Sequence, residues 1–188
     1  GSLSPNSYEV QQGDDRTALL LKMQAAQSAD VRNAWADRAE DLPLASEGDV
    51  LILASIIEKE TGISSERSVV ASVFINRLNL GMPLQTDPSV IYGITKGEQS
   101  LGRGLRKSEL RKDTPWNTYL NKGLPPTPIS NPGLQSIRAA VNPEDTDYVF
   151  FVADGSGGHA FAKTLKEHNI NVAKWRAVEA QRKKSQKN

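Results

Sequence analysis

Two glutamates, Glu58 and Glu60, follow directly after the most apolar stretch of the chain, Val50-Leu-Ile-Leu-Ala-Ser-Ile-Ile57. At about 100° per residue on a helix, the two side chains fall on opposite sides of it. Burial raises the pKa of a carboxyl group, and an acid that stays protonated near neutral pH is suited to general acid catalysis. Ion pairing with Arg or Lys is the alternative. The spacing alone does not choose between Glu58 and Glu60.

Loops elsewhere in the chain carry amide, hydroxyl and aromatic groups of the kind that bind carbohydrate. The candidate residues for contacting a sugar are Gln85, Thr86, Asp87, Asn117 and Tyr119. Asp87 precedes Pro88, and a helix cap is the more ordinary role for an aspartate in that position.

Glycosidases ordinarily use two carboxyl groups on either side of the scissile bond. Glu58 and Glu60 cannot flank one bond from opposite sides of a helix. Either Asp87 or another acid is therefore the partner, or the reaction needs only one carboxyl group.

Composition narrows the remaining classes of function. The 188 residues carry a net charge of +1, which predicts no nucleic-acid partner and no membrane-binding surface. Cysteine is absent, which excludes thiol catalysis and Cys-ligated zinc. The two histidines, His159 and His168, are too few for a convincing metal site, so we expect no metal and no cofactor.

The periodicity predicts a mainly helical α+β domain with one small antiparallel hairpin. Turn and capping signals set the expected bounds. Helices are expected from Arg16 to about Glu40, Glu47 to Thr61, Ser64 to Leu80, Asp87 onward, Gly133 to Val141 and Thr164 to Lys183; strands are expected at Tyr148–Val152 and His159–Ala162. Leu165 and Asn169 are expected on the inner face of the last helix.

The first residues, Gly1-Ser2, look like the remnant of a cleaved tag. We therefore expect residues 1–13 to be a tag remnant and an extended N-terminal segment, and residues 14–188 to form a catalytic domain. No stretch is apolar over the roughly 20 residues that a membrane span needs.

Several motifs occur in one order along nearly the whole chain, from about Tyr8 to Trp175. They are Leu53-Ala-Ser-Ile-Ile-Glu-Lys-Glu-Thr61, Ala71-Ser-Val-Phe-Ile-Asn-Arg-Leu78, Leu84-Gln-Thr-Asp-Pro-Ser-Val-Ile-Tyr-Gly93, Asn117-Thr-Tyr119, Gly123-Leu-Pro-Pro126 and Phe151-Val-Ala-Asp-Gly155 with His159 and Phe161. In these motifs the chain resembles the YceG-like (MltG) endolytic murein transglycosylases.

The resemblance implies that Glu58, the first glutamate of Glu-Lys-Glu-Thr, is catalytic. It implies cleavage of the β-1,4 bond between N-acetylmuramic acid and N-acetylglucosamine in peptidoglycan. The muramyl C6 hydroxyl attacks C1 in place of water and leaves a 1,6-anhydro end. One glutamate then serves as acid and afterwards as base, which removes the need for a second carboxyl group.

The resemblance also assigns surrounding roles. Gln85, Thr86, Tyr92, Asn117 and Tyr119 are expected to bind the glycan. Glu60, Asp87, His159 and Asn169 are further candidates, each with a structural role as the alternative. Members of the family are usually tethered to the bacterial inner membrane through an N-terminal helix and a LysM-like segment, with the catalytic part outside the cytoplasm.

Peptidoglycan and, in addition, the synthases that make it are the partners that the resemblance implies. Two other functions remain open at this point. One is a lysozyme-like hydrolase that uses Glu58 and a second acid such as Asp87. The other is a non-catalytic module that binds peptidoglycan and docks synthases.

Overall fold

The computed structural model describes residues 1–185, which form a helical domain with one hairpin. The elements, in chain order, are α1 (Arg16–Ala36), α2 (Glu47–Glu60), a 3-10 turn (Ser64–Glu66), α3 (Arg67–Asn79), α4 (Asp87–Thr95), α5 (Leu134–Val141), β1 (Phe150–Ala153), β2 (His159–Ala162) and α6 (Leu165–Ser185). This confirms the predicted α+β class with a small antiparallel sheet. No helix in this part of the chain has the length and apolarity needed to cross a membrane.

Helix α2 lies at the centre of the core. It packs against α5, α1, α3 and α4. The Ser46 hydroxyl accepts a hydrogen bond of 3.3 Å from the Asp49 N–H and so caps the first turn. Val50, Leu53, Ile56 and Ile57 are all 0% exposed. The apolar run of α2 is thus buried over most of its surface, as expected for a helix that is apolar on nearly every side.

Helix α1 ends at Ala36, about one turn before the predicted end. The Arg38 guanidinium stacks 3.9 Å above the Trp35 ring and donates to the Trp35 carbonyl oxygen, which covers the helix end. The Ala39 N–H then donates to the Val141 carbonyl oxygen at the end of α5. These tertiary contacts draw the chain away from the helix axis.

The hairpin pairs β1 with β2 in antiparallel register, from Phe150 opposite Ala162 to Ala153 opposite His159. Its first strand starts two residues later than predicted. The Asn76 side chain on α3 donates to the carbonyl oxygens of Thr146 and Tyr148, at 2.7 and 2.9 Å. The segment before Phe150 is therefore bonded to α3.

Helix α6 packs against the two hairpin strands and buries no residue fully. Thr164 caps it as predicted, since its hydroxyl accepts from the Glu167 N–H and Glu167 accepts from the Thr164 N–H. Leu165 is 58% exposed, which contradicts its predicted inward position. Asn169 is exposed as well. A two-stranded sheet is too narrow to cover the whole predicted face.

The first thirteen residues have no helix or strand, in keeping with an extended segment. They nevertheless pack on α1. Ser4 is 2% exposed, and its N–H donates to the Met23 carbonyl oxygen. The Gln27 amide donates to the Gly1 carbonyl oxygen at 3.1 Å.

Candidate functional site

Glu58 faces the N-terminus of α5. Its Oε2 atom accepts hydrogen bonds from the Gly133 N–H at 3.1 Å and from the Ser136 hydroxyl at 2.6 Å. Ser136 is fully buried. A carboxylate in this position satisfies an N–H group that the helix cannot bond itself and complements the helix dipole. This arrangement gives Glu58 a structural role, because both contacts join α2 to α5.

Ser55 lies one turn before Glu58 on the same side of α2 and bonds the segment that leads into α5. The Ser55 hydroxyl accepts from the Ile129 N–H at 2.9 Å, and the Ser130 hydroxyl donates to the Ser55 carbonyl oxygen at 3.0 Å. One side of α2 thus anchors the proline-rich segment, residues 123–133. Ser55 and Glu58 therefore share one side of α2, and their hydrogen bonds pack it against the segment that leads into α5.

Glu60 points to a different set of residues. Its carboxyl group is deeply placed, although the residue as a whole keeps some contact with solvent. Burial is the largest influence and raises the pKa of Glu60, and the Asp87 carboxylate raises it further. The Thr86 hydroxyl and the charges of His159 and Arg77 oppose this rise without cancelling it. Glu60 is therefore the acid on α2 whose surroundings favour the protonated form.

Six residues from four parts of the chain meet here, and we name them the Glu60 cluster. They are Glu60, Arg77, Gln85, Thr86, Asp87 and Tyr119. Gln85, Thr86 and Tyr119 were predicted to bind substrate, and Glu60 and Asp87 were further candidates. The structure brings these five together around the second glutamate of the motif and not around the first.

Thr86 is 2% exposed, and its hydroxyl oxygen has no partner at hydrogen-bond geometry in residues 1–185. It lies near enough to Glu60 to lower the pKa of that carboxyl group. The Thr86 N–H donates to the Thr118 hydroxyl at 3.0 Å, which fixes the backbone. A buried hydroxyl without a full partner is costly unless it has a ligand to meet.

Asp87 and Tyr119 form a hydrogen bond across the cluster. The Tyr119 hydroxyl donates to Asp87 Oδ1 at 2.6 Å. Burial raises the pKa of Tyr119, and the hydrogen bond to Asp87 raises it further. The Tyr119 hydroxyl therefore remains a donor at any working pH. The prediction that Asp87 caps α4 is wrong. Asp87 is the first residue of α4, Thr86 occupies the cap position, and the Asp87 carboxylate is engaged by Tyr119.

Gln85 has φ +52°, in the left-handed region that residues other than glycine seldom adopt. Its N–H donates to the Thr118 carbonyl oxygen, and its Oε1 atom accepts from Arg77 at 3.4 Å. The side chain is exposed, so its amide N–H groups can meet a ligand. Backbone strain held by surrounding bonds is typical of functional positions.

Arg77 is the largely buried member of the Glu60 cluster, and it bonds the cluster to two other parts of the chain. It is 8% exposed, and it donates to the carbonyl oxygens of Val149 and Leu84 at 2.7 and 2.8 Å. These bonds join α3 to the residues before β1 and to the loop that carries Gln85. The sequence motif that contains Arg77 had suggested no role for it. Its position one turn after Phe74, on the apolar face of α3, was the available signal.

Asn117 is fully buried and makes only backbone contacts. Its amide donates to the carbonyl oxygens of Leu110 and Lys112, and its Oδ1 atom accepts from the Tyr119 N–H at 3.0 Å. The structure therefore buries Asn117 inside this loop and does not place it in the Glu60 cluster. A buried amide with these three bonds shapes the loop that carries Tyr119.

Tyr92 makes no hydrogen bond to the cluster within the described residues and lines a cavity of about 830 Å³ together with Lys59, Pro88 and Ser130. Its ring packs edge-on against Trp116, with centroids 5.7 Å apart. Asn169 is exposed on α6 and makes no hydrogen bond to cluster residues within the described chain. The structure thus leaves these two predicted residues outside the Glu60 cluster.

His159 begins β2 and is held by Glu66, which the sequence analysis did not consider. His159 Nδ1 lies 2.7 Å from Glu66 Oε2, and the His159 N–H donates to Glu66 Oε1 at 2.9 Å. The His159 charge also reaches the Glu60 carboxyl group. No sequence spacing pointed to Glu66, because it is 93 residues away from His159. No group of three or more potential metal ligands occurs within residues 1–185.

Comparison with known proteins finds one family along nearly the whole chain. A family model described as YceG-like family matches residues 1–174. The chain is 40% identical over 169 residues to a Bacillus subtilis (strain 168) protein named endolytic murein transglycosylase, which covers 90% of this chain and 46% of the relative. It is 31% identical over 180 residues to a protein of the same name from Streptococcus pneumoniae serotype 2, which covers 92% of this chain and 31% of the relative.

A solved structure has the same fold. The crystal structure of a yceG-like protein from Listeria monocytogenes superposes with a TM-score of 0.75 at 38% identity, over 90% of this chain and 54% of that one. The chain spans less than half the length of the two curated relatives described above.

Proposed function

Because the chain belongs to the YceG-like family, we propose that it is the catalytic part of an endolytic peptidoglycan lytic transglycosylase. The relatives' name, endolytic murein transglycosylase, supports this reaction for the region of them that the chain matches. The glycan is cut at the β-1,4 bond between N-acetylmuramic acid and N-acetylglucosamine, and the cut leaves a 1,6-anhydromuramic acid end. In a cell this would end the elongation of nascent strands.

The proposal assigns the acid to Glu60 and not to Glu58, which the sequence resemblance had implied. The observation that carries this choice is the environment of the two carboxyl groups. Glu60 is half-buried among polar groups, and its pKa is raised. The Glu58 carboxyl group already accepts hydrogen bonds from the Gly133 N–H and the Ser136 hydroxyl. A general acid must hold a proton and must reach the substrate, and Glu60 meets both needs better.

The reaction follows from one carboxyl group used twice. Protonated Glu60 donates its proton to the glycosidic oxygen, the C1–O bond breaks, and positive charge develops at the muramyl C1. The Glu60 carboxylate then accepts the proton of the C6 hydroxyl as that oxygen bonds to C1. Glu60 ends protonated, and no water is consumed. The burial that raises its pKa also limits competition from water.

The surrounding residues supply binding and orientation. The exposed amide of Gln85 is suited to sugar hydroxyl and acetamido groups. The buried Thr86 hydroxyl faces the Glu60 carboxyl group and so acts on the acid. The Tyr119–Asp87 hydrogen bond holds one wall of the site. Asp87 keeps negative charge near Glu60, which favours the protonated acid before the reaction begins.

The location and partners belong to the same proposal. We place the activity on the outer side of the bacterial inner membrane, where peptidoglycan is assembled, with the synthases that extend its strands as partners. The family resemblance supports both points. Binding of a purified synthase to the full-length protein would test the partner directly.

The experiment is digestion of purified peptidoglycan, with mass spectrometry of the soluble products. The wild-type protein should release muropeptides that end in 1,6-anhydromuramic acid, and Glu60→Gln should release none. Glu58→Gln is the matched control on the same helix and should keep the wild-type products. An active Glu60→Gln protein beside an inactive, folded Glu58→Gln protein would contradict the assignment.

The products also separate the other candidates. Hydrolysis adds one water to each new end, so hydrated reducing ends would favour a lysozyme-like enzyme with Asp87 as the second acid. Binding to peptidoglycan with no soluble product from either the domain or the full-length protein would favour a non-catalytic module.

A further inference from the structure

The Glu66 carboxylate lies at the junction of three segments. The Thr61 hydroxyl, one residue after Glu60, donates to Glu66 Oε2 at 3.2 Å. The His159 N–H donates to Glu66 Oε1, and His159 Nδ1 lies 2.7 Å from Oε2. Glu66 therefore bonds the end of α2 and the start of β2 at once. This ties the position of the His159 ring to the end of the helix that carries Glu60.

The hairpin is shaped to permit this contact. A Cβ atom added at Gly158 would lie 2.6 Å from Glu66 Oε1. Gly158 does not need a left-handed backbone. A larger residue here would displace the Glu66 carboxylate, so glycine lets the hairpin approach Glu66 with that carboxylate in place. The Phe151 ring packs edge-on against the His159 ring at 5.3 Å and restricts its rotation.

The protonation of Glu66 decides which ring nitrogen carries the proton. Burial raises the pKa of Glu66, but hydrogen bonds from His159 and Thr61 outweigh it and leave the pKa below its usual value. An ionised carboxylate only accepts hydrogen bonds. His159 Nδ1 is therefore the protonated nitrogen, and in the neutral ring Nε2 carries the lone pair.

The Nε2 atom is free to meet a ligand. It has no hydrogen-bond partner among residues 1–185, and it is not completely buried. The His159 side chain is 17% exposed. Thr61, the residue after Glu60, bonds the same Glu66 oxygen as His159 Nδ1, so the ring lies near the end of α2 that carries the acid.

We propose that Glu66 is a positioning residue that fixes the His159 ring so that Nε2 accepts a hydrogen bond from a hydroxyl or acetamido N–H group of the glycan. The inference rests on the proposed function and extends it to two residues beyond the Glu60 cluster. Glu66 itself does not touch substrate. It acts by selecting the Nδ1–H tautomer and by holding the ring at the edge of the site.

Glu66→Gln tests this with little change in shape. The Gln amide donates to Nδ1, which moves the ring proton to Nε2 and turns an acceptor into a donor. We expect the rate of release of anhydro-ended products to fall on the order of tenfold. His159→Ala should lower this rate by the same factor. The Glu66→Gln/His159→Ala double variant should be no slower than either single variant, because the two residues act as one unit. Glu47→Gln removes an exposed carboxylate from α2 and should be unchanged.

The spectroscopic measurement separates positioning from mere packing. With only two histidines in the chain, ¹⁵N-detected imidazole spectra can be assigned by comparison with His159→Ala. At about pH 8, where an ordinary imidazole is neutral, His159 should be the Nδ1–H tautomer in the wild type and the Nε2–H tautomer in Glu66→Gln. A rate loss without this switch, or full activity of a folded His159→Ala protein, overturns the proposal.

A binding measurement keeps this test separate from that of the reaction. Glycan strands released by an amidase are titrated into Glu60→Gln and into the Glu60→Gln/Glu66→Gln double variant. Glu66→Gln should weaken binding on the order of tenfold. If the wild type releases no anhydro-ended product, the proposed reaction fails, whereas the binding loss with the tautomer switch still supports the role of Glu66. Equal binding by both proteins overturns that role.

Discussion

Glu58 and Glu60 are separated by one residue on α2, and their carboxyl groups face different parts of the domain. Glu58 bonds the first turn of α5 through Gly133 and Ser136. Glu60 lies among Arg77, Thr86 and Asp87, where burial raises its pKa. The same short motif therefore supplies one structural acid and one acid suited to catalysis. This division of roles leads to separate effects on stability and activity.

Replacing Glu58 with alanine should reduce stability more than activity. The change leaves the Gly133 N–H and the buried Ser136 hydroxyl without their acceptor, which costs about 1–3 kcal/mol. Urea denaturation should show this loss, and the folded variant should retain anhydro-forming activity. Glu47→Ala, an exposed carboxylate on the same helix, should stay within about 0.5 kcal/mol of wild type. A stable but inactive Glu58→Ala protein would return the catalytic role to Glu58.

Glu60→Gln should be more stable than the wild type near neutral pH, and this gain in stability should shrink as the pH falls. The folded state raises the pKa of Glu60, so it binds the proton more tightly than the unfolded chain does. The stability that this proton contributes is complete below the ordinary glutamate pKa and is lost as pH rises through the folded-state value. Glutamine has no such loss, so the Tm difference between variant and wild type should grow with pH.

The raised pKa of Glu60 also sets the direction of the activity profile. A general acid must be protonated, so the rate should fall as pH rises through the folded-state pKa. Melting curves of both proteins over a pH series measure the stability effect. Glu47→Gln serves as the charge-matched control. A Tm difference that stays constant with pH would show that Glu60 titrates normally.

Arg77→Lys should destabilise the domain although it keeps the positive charge. The guanidinium reaches Val149 on one side and Leu84 on the other, which a single ammonium group cannot do. Loss of these buried bonds should cost about 2–3 kcal/mol in urea denaturation. Arg111→Lys, at an exposed site, should change nothing. Equal stability of the two variants would mean that Arg77 is not needed as an anchor.

Gly158→Ala should lower activity through Glu66. The new methyl group would approach Glu66 Oε1 to 2.6 Å, so the carboxylate must move away from His159. We expect a rate loss comparable to that of Glu66→Gln, with the His159 tautomer no longer fixed. Gly62→Ala is the control, because its Cβ meets nothing within 4 Å and its backbone is not left-handed. Identical activity of the two variants would contradict the requirement for space at Gly158.

Much of this fold could be predicted because its signals are local. Ser46, Thr164 and the apolar run of α2 sit within one or two turns of the structure that they specify. The errors occur where distant groups intervene. Asn76 bonds the carbonyl oxygens of Thr146 and Tyr148, just before β1, and the Val141 carbonyl oxygen bonds the chain that follows α1. The amide of Asn117 serves a loop in the structure, although its residue type suited a sugar contact equally well.

The sequence by itself determined the helical periodicity, the hairpin, the polar loop that bears Gln85, Thr86 and Asp87, and the motifs of the YceG-like family. It also placed Glu58 and Glu60 on opposite sides of one helix, because that follows from the helical repeat alone. Only the tertiary structure decided which side meets α5 and which meets the polar loop. The carboxyl environment depends on residues far apart in the chain, and their contacts arise only when the core packs. For the same reason Glu66 and His159, 93 residues apart, became a pair only in the folded protein.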